Sequence, residues 1–162
     1  MIINNEAFFA NVLEVLGRGQ SVTIPVKGFS MLPFIRGEKD LVVLRKPDRP
    51  YREGDIVLFR CGGRYVMHRI ISIGEDKVVI RGDGVPKNTE TVTPSDIFGL
   101  VTEILRGGKR SVDPESPRER RRVRLWQSLL PVRRYLLLIY RMLPWNYFWL
   151  RRQRKEIVNN EN

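Results

Sequence analysis

From residue 20 to about residue 104 the chain is written as short β-branched runs separated by turn residues, and this texture restricts the possible folds more than any other feature. The runs are SVTIPV, DLVVL, DIVLF, RYVMHRIISI, KVVI and IFGLVTEI. Valine, isoleucine and aromatic side chains suit a pleated, half-buried surface, whereas the Gly, Pro, Asn and Asp between runs break pairing. Gly62-Gly63 offers the two left-handed positions of a two-residue hairpin, Glu75-Asp76 closes a second turn, and Asp83-Gly84 marks a third. Short runs joined by tight turns predict a mainly β, antiparallel domain. With Gly62-Gly63 as the hairpin turn, Cys61 faces Arg64 and His68 faces Val57.

Before this region, residues 4–16 set Ala7, Phe8, Val12, Val15 and Leu16 near a helical repeat, with Asn4 or Asn5 as N-cap and Gly17 as stop signal. A short amphipathic helix is expected there. After it, Gly107, Gly108, Pro114 and Pro117 interrupt regular structure over residues 106–119. From Arg120 onward, arginine clusters alternate with large apolar residues such as Trp126, Leu130, Tyr135, Leu136, Trp145, Phe148 and Trp149. The expected organisation is an N-terminal helix (1–19), a β domain (20–108) and a basic, amphipathic helical tail (109–162). A length of 162 residues suits one hydrophobic core with appendages.

Hydrophobic residues at 42% and charged residues at 29% are ordinary for a globular chain, but a net charge of +11 is not. Such an excess predicts an anionic partner, either nucleic acid or an anionic lipid surface, and reports association rather than chemistry. Cys61 is the single cysteine, so no internal disulfide can form. With one histidine and no carboxylates clustered at ligand spacing, neither a metal site nor a cofactor is implied. The start MIINNEAFFANVLEVLG lacks the basic, apolar and small-residue regions of a secretory signal, which predicts a chain that begins in the cytoplasm.

Chemistry concentrates at two places. Ser30 lies in the turn-like segment Gly28-Phe29-Ser30-Met31-Leu32-Pro33, and His68 lies in a β run. A serine hydroxyl is a weak nucleophile until a neighbouring base takes its proton, and an imidazole, with an ordinary pKa of about 6.5, suits that work near neutrality. Taken singly, Ser30 reads as a turn residue and His68 as a satisfied histidine on a strand.

Four short motifs join them. The pattern GxSMxP, followed by a glycine and an acidic residue, resembles the nucleophile box of the type I signal peptidases. Gly54-Asp55-Ile56-Val57 is similar to that family's second box, His68-Arg69-Ile70-Ile71 to its general-base box, and Gly82-Asp83 to its late GD motif. Order and spacing match over roughly residues 25–104, and four boxes in order are far more specific than any one.

The resemblance implies a signal-peptidase-like β domain and a serine endopeptidase with Ser30 as nucleophile and His68 as general base. Bacterial housekeeping members carry lysine at the base position, whereas endoplasmic-reticulum, archaeal and some Gram-positive members carry histidine, so this chain resembles the histidine branch. Implied substrates are leader or signal-like peptides with small side chains at the first and third positions before the cleaved bond. The backbone N–H of Ser30 takes the oxyanion role, and Met31, Leu32 and Pro33 form the walls of shallow substrate pockets, although Leu32 reads equally well as core. Some members add a hydroxyl two residues before the nucleophile. Gly28 stands there, so a second donor has to come from backbone.

Asp83 is the expected orienting carboxylate for His68, because an acceptor at the imidazole fixes its tautomer, but Asp-Gly is also a preferred tight turn. Histidine-type relatives carry a further acid several positions after GD. Asn88 or Thr89 falls there in this chain, and Glu90 fills the role only through a small register shift. Cys61 is a rival nucleophile on paper, yet four residues along a strand at about 3.3 Å each separate it from His68 by roughly 13 Å.

Residues 135–150 are apolar but contain Arg141, Pro144 and Asn146, and fall short of the ~20 residues needed to span a bilayer. Tryptophan and tyrosine beside arginine suit the headgroup region, which predicts an in-plane anchor on an anionic membrane surface, at the cytoplasmic face. A nucleic-acid-binding tail and a helix packed on the β domain are the alternatives. Familiar signal peptidases are held by an N-terminal membrane segment, and none is visible here. The chain is therefore either a peptidase acting at the cytoplasmic face or a catalytically silent peptide-binding module on the same fold. Self-cleaving repressors share a related β fold, but residues 1–29 are too short for a helix-turn-helix domain and their base is lysine.

Overall fold

The computed structural model describes residues 5–85, 88–129 and 132–142. Helix α1 (Asn5–Gly17) precedes strands β1 (Val22–Pro25), β2 (Leu41–Arg45), β3 (Ile56–Cys61), β4 (Arg64–Ile73), β5 (Val78–Arg81) and β6 (Glu90–Val92). A 3-10 turn (Pro94–Asp96) leads into β7 (Ile97–Arg106) and β8 (Arg110–Val112), and helices α2 (Pro117–Ser128) and α3 (Arg133–Met142) follow. Among the described residues the eight strands form one curled antiparallel sheet in the order β1-β2-β7-β3-β4-β5-β6, with β8 also paired to β7. The mainly β, antiparallel reading holds.

All six β-branched runs are strands, and the Gly62-Gly63 turn sets the register between β3 and β4. Both glycines have positive φ, 56° and 75°, as a type I′ hairpin requires. Cys61 pairs with Arg64 and Val57 with His68, as the turn dictates. Two three-residue strands, β6 and β8, were not expected. Because β8 pairs with the end of β7, the sheet continues past residue 108. The chain forms two compact units, Met1–Leu125 and Trp126–Asn162.

In α1, Val12 and Leu16 are buried one turn apart, with Leu16 against Gly99 of β7 at a spot where any side chain would crowd it. Phe9 rather than Ala7 completes the contact face. Ala7 is exposed, while the Phe9 ring stacks on Tyr65 at 4.5 Å between centroids.

One face of the sheet collects Val57, Phe59, Ile70, Val78, Ile80, Val92, Ile97 and Leu100 into a buried cluster. Each such side chain contributes about 1.5–3 kcal/mol on leaving water, so this face fixes strand register firmly. The Gly54-Asp55 motif serves the frame. Asp55 accepts two hydrogen bonds of 2.9 Å from the Arg49 guanidinium and one from the Arg52 N–H, while Arg49 also binds Glu115 beyond β8. Those carboxylates hold the Arg49 pKa well above its ordinary value, chiefly through the Asp55 hydrogen bonds.

Among the described residues, no helix is long and apolar enough to cross a membrane. Leu130, Trp145, Phe148 and Trp149, on which part of the anchor expectation rests, lie outside them.

Candidate active site

Ser30 follows β1 in a tight turn whose backbone is bonded to itself. Leu32 N–H donates to Phe29 C=O at 3.1 Å, and the N–H groups of Phe34 and Ile35 both donate to Met31 C=O at 3.0 Å. Met31, Leu32, Phe34 and Ile35 are all buried, so the turn is rooted in the core while Ser30 itself is half-exposed. Of the three residues expected to line substrate pockets, Met31 and Leu32 are buried and Pro33 retains partial exposure. The Ser30 N–H donates to no carbonyl of the described residues, which leaves it available for the oxyanion role.

Asp40 closes the turn from behind. Its carboxylate accepts the Arg36 N–H at 2.9 Å, the Arg36 guanidinium at 2.8 and 3.2 Å, and the Gly107 N–H at 2.9 Å. Burial alone would raise this carboxyl's pKa, but the Arg36 and Gly107 donors outweigh it and hold the group below its ordinary value.

His68 occupies the core-facing side of β4. Strand alternation places it on the face of its partner Val57 and of Ile70, and its ring sits 5.9 Å from that of Phe59. The residue is only 6% exposed. Register then brings in its carboxylate: Ile70 pairs with Ile80 on β5, and Ile80 pairs with Glu90 on β6, so Glu90 shares the face of His68. His68 Nδ1 lies 3.1 Å from Glu90 Oε2. An ionised carboxylate only accepts, so in a neutral imidazole the proton belongs on Nδ1 and Nε2 keeps the lone pair. Nε2 is buried and has no hydrogen-bond partner among the described residues.

Asp83, expected to orient His68, is engaged elsewhere. Neighbouring residues on a strand point to opposite faces, so Arg69 projects away from His68. Its Nε donates to both Asp83 oxygens at 3.0 and 3.1 Å, its Nη2 to Oδ2 at 2.7 Å, and its Nη1 to Gly54 C=O at 2.7 Å. Arg69 is 3% exposed and Asp83 2%. This buried pair ties β4 to the turn after β5, and the carboxylate in contact with His68 is that of Glu90.

The Gly82-Asp83-Gly84 turn brings the Ser30 and His68 segments together. Gly84 N–H donates to Ser30 C=O at 2.7 Å. A Cβ on Gly82 would stand 2.5 Å from Ser30 O and 3.0 Å from His68 Nε2, so only glycine permits this approach. One residue therefore touches both the backbone of Ser30 and the free nitrogen of His68. Cys61 stays at the far end of the hairpin, as its register requires.

No family model and no curated protein matches this chain. Among the described residues no group of His, Cys, Asp and Glu is placed to hold a metal ion. What the arrangement offers is a half-buried serine whose backbone and an imidazole whose Nε2 both come against Gly82, with the other ring nitrogen bonded to a carboxylate.

Proposed function

We propose that this protein is a serine endopeptidase of the signal-peptidase type, with Ser30 as nucleophile, His68 as base and Glu90 as orienting carboxylate. The observation that carries this reading is the state of His68: Nδ1 tethered to Glu90, and Nε2 buried, without a hydrogen-bond partner among the described residues and beside the glycine that also abuts Ser30. In the reaction, Nε2 accepts the hydroxyl proton as Ser30 Oγ attacks the peptide carbonyl, and the oxyanion takes up the Ser30 N–H. The imidazolium, stabilised by Glu90, then gives that proton to the leaving amine. Water attacks the acyl-serine with Nε2 again as base, releasing the acid and restoring the hydroxyl.

The substrates that fit this reading are extended leader or signal-like segments with small side chains at the first and third positions before the bond, met at the cytoplasmic face. A synthetic peptide with alanine at both positions is the test. Residues acting as one unit are non-additive, so Ser30→Ala, His68→Ala and the double variant should fall to one common floor. Additive losses, or cleavage surviving Ser30→Ala, would remove the proposal.

A second reading is a catalytically silent peptide-binding module. The absence of a hydrogen bond at Nε2 favours it, since hydroxyl and imidazole are not bonded to each other in this structure. Catalytic hydrogen bonds are often long before substrate binds, which is why the peptidase reading stands first. Peptide binding unaffected by Ser30→Ala, without any cleavage, would select the module.

A further inference from the structure

The basic region after β8 contains two helices with different commitments. In α2, Arg122 donates to Glu119 at 2.6 Å and lies 5.8 Å over the Phe34 ring, and Arg120 stands 3.8 Å from Glu115. Glu119 is also 3.9 Å from Arg106, whose Nη2 reaches Phe34 C=O. The start of α2 thus braces the turn that carries Ser30, and two of its arginines are engaged within the protein.

Helix α3 is different. Val132, Tyr135, Leu136 and Ile139 follow the i, i+3, i+4, i+7 spacing of one helix face, and Leu138 lies beside them one turn from Tyr135. All five are exposed, Leu138 at 53% and Ile139 at 60%, whereas Leu137 on another side is buried at 6%. The same stretch, RRYLLLIYRM, contains three arginines and no acid. An apolar stripe of this size on the outside of a helix marks a surface built for a partner.

We infer that α3 docks in the plane of an anionic membrane surface, with Leu136, Leu138 and Ile139 at the acyl boundary and the arginine charge of the segment drawing it to the headgroups. The combination selects the partner. A nucleic-acid backbone rewards cations but gives nothing for a leucine and isoleucine stripe, while the lipid interface rewards both. Three of the ten described residues of α3 are arginines, and among the described residues no helix is long and apolar enough to cross a membrane, which suits a helix docked along the surface. This inference is independent of the peptidase reading, and it moves the anchor from the whole basic tail to α3.

The test uses the full chain in co-sedimentation with vesicles of equimolar phosphatidylcholine and phosphatidylglycerol, against pure phosphatidylcholine. Binding to the anionic vesicles should be at least about tenfold stronger and should weaken at high salt. The double variant Leu138→Glu/Ile139→Glu, at exposed positions, should bind about tenfold or more weakly with an unchanged thermal unfolding midpoint. Arg133→Gln/Arg134→Gln should reduce binding to anionic vesicles alone. Equal binding to both vesicle types overturns the inference, as does a Leu138→Glu/Ile139→Glu variant that binds like the parent. RNA binding without vesicle binding, or self-association lost in the variant without vesicle binding, also overturns it.

Discussion

His68 and Glu90 meet across three adjacent strands, Nδ1 to Oε2 at 3.1 Å, although 22 residues separate them in the chain. The carboxylate fixes the imidazole tautomer that a base requires. Glu90→Gln keeps the shape but replaces an obligate acceptor with a group that can also donate, so the wrong tautomer becomes accessible. Turnover should fall by roughly a hundredfold or more, with the urea midpoint nearly unchanged. Peptide cleavage and equilibrium unfolding, measured on the same preparation, check this.

Asp83 should behave in the opposite way. Removing it leaves the Arg69 guanidinium buried without its counter-charge, which costs about 3–5 kcal/mol. Asp83→Ala should therefore lower the urea midpoint sharply. Replacing both partners, as Arg69→Met with Asp83→Leu, should recover much of the loss. A stable Asp83→Ala protein with abolished turnover would return Asp83 to the catalytic role.

The Asp40 carboxyl, held below its ordinary value of 3.8 by donors that outweigh its burial, gives a pH signature. A depressed folded-state pKa contributes stability that is fully present above the unfolded value and is lost as pH falls through the folded one. Asp40→Asn should cost about 1.5–3 kcal/mol at neutral pH. The gap between parent and variant should stay constant down to about pH 5 and narrow below about pH 4. Urea unfolding at a series of pH values measures it, and a gap that widens in acid would contradict the assignment.

Gly82→Ala probes the contact between the two halves of the site. Its Cβ would enter 2.5 Å from Ser30 O and 3.0 Å from His68 Nε2, so one of them has to move. Overpacking of this kind costs about 1–3 kcal/mol. Turnover should collapse while the protein remains folded, as circular dichroism would report. Full activity in this variant would mean that the spacing across Gly82 is irrelevant.

The contrast between Glu90 and Asp83 also marks what the sequence could reveal. Six strands were legible because each is a β-branched run of at least four residues, and the Gly62-Gly63 turn carried the Val57–His68 register with it. Ser30 and His68 were legible as chemistry, one hydroxyl in a Gly-bounded turn and one imidazole. Strands β6 and β8 are three residues each, ETV and RSV, too short for any periodicity to emerge. Without β6 the sequence leaves Glu90 as no more than the alternative to Asp83, since only the chain of pairings from Ile70 through Ile80 to Glu90 places that residue on the face of His68. Asp83 looked the better candidate by proximity to its motif, but the turn that displays it faces Arg69. For Met31 and Leu32, both buried, sitting beside Ser30 does not distinguish a pocket wall from the root of the turn.

The central claim is that Ser30 is activated by His68, and covalent labelling tests it most directly. A serine-directed acylating reagent such as a fluorophosphonate, followed by peptide mapping, should modify Ser30 in the parent. Labelling should disappear in Ser30→Ala and drop to background in His68→Ala, because the hydroxyl then has no base. A parent protein that stays unlabelled, or a His68→Ala protein labelled at the parental rate, would contradict the account.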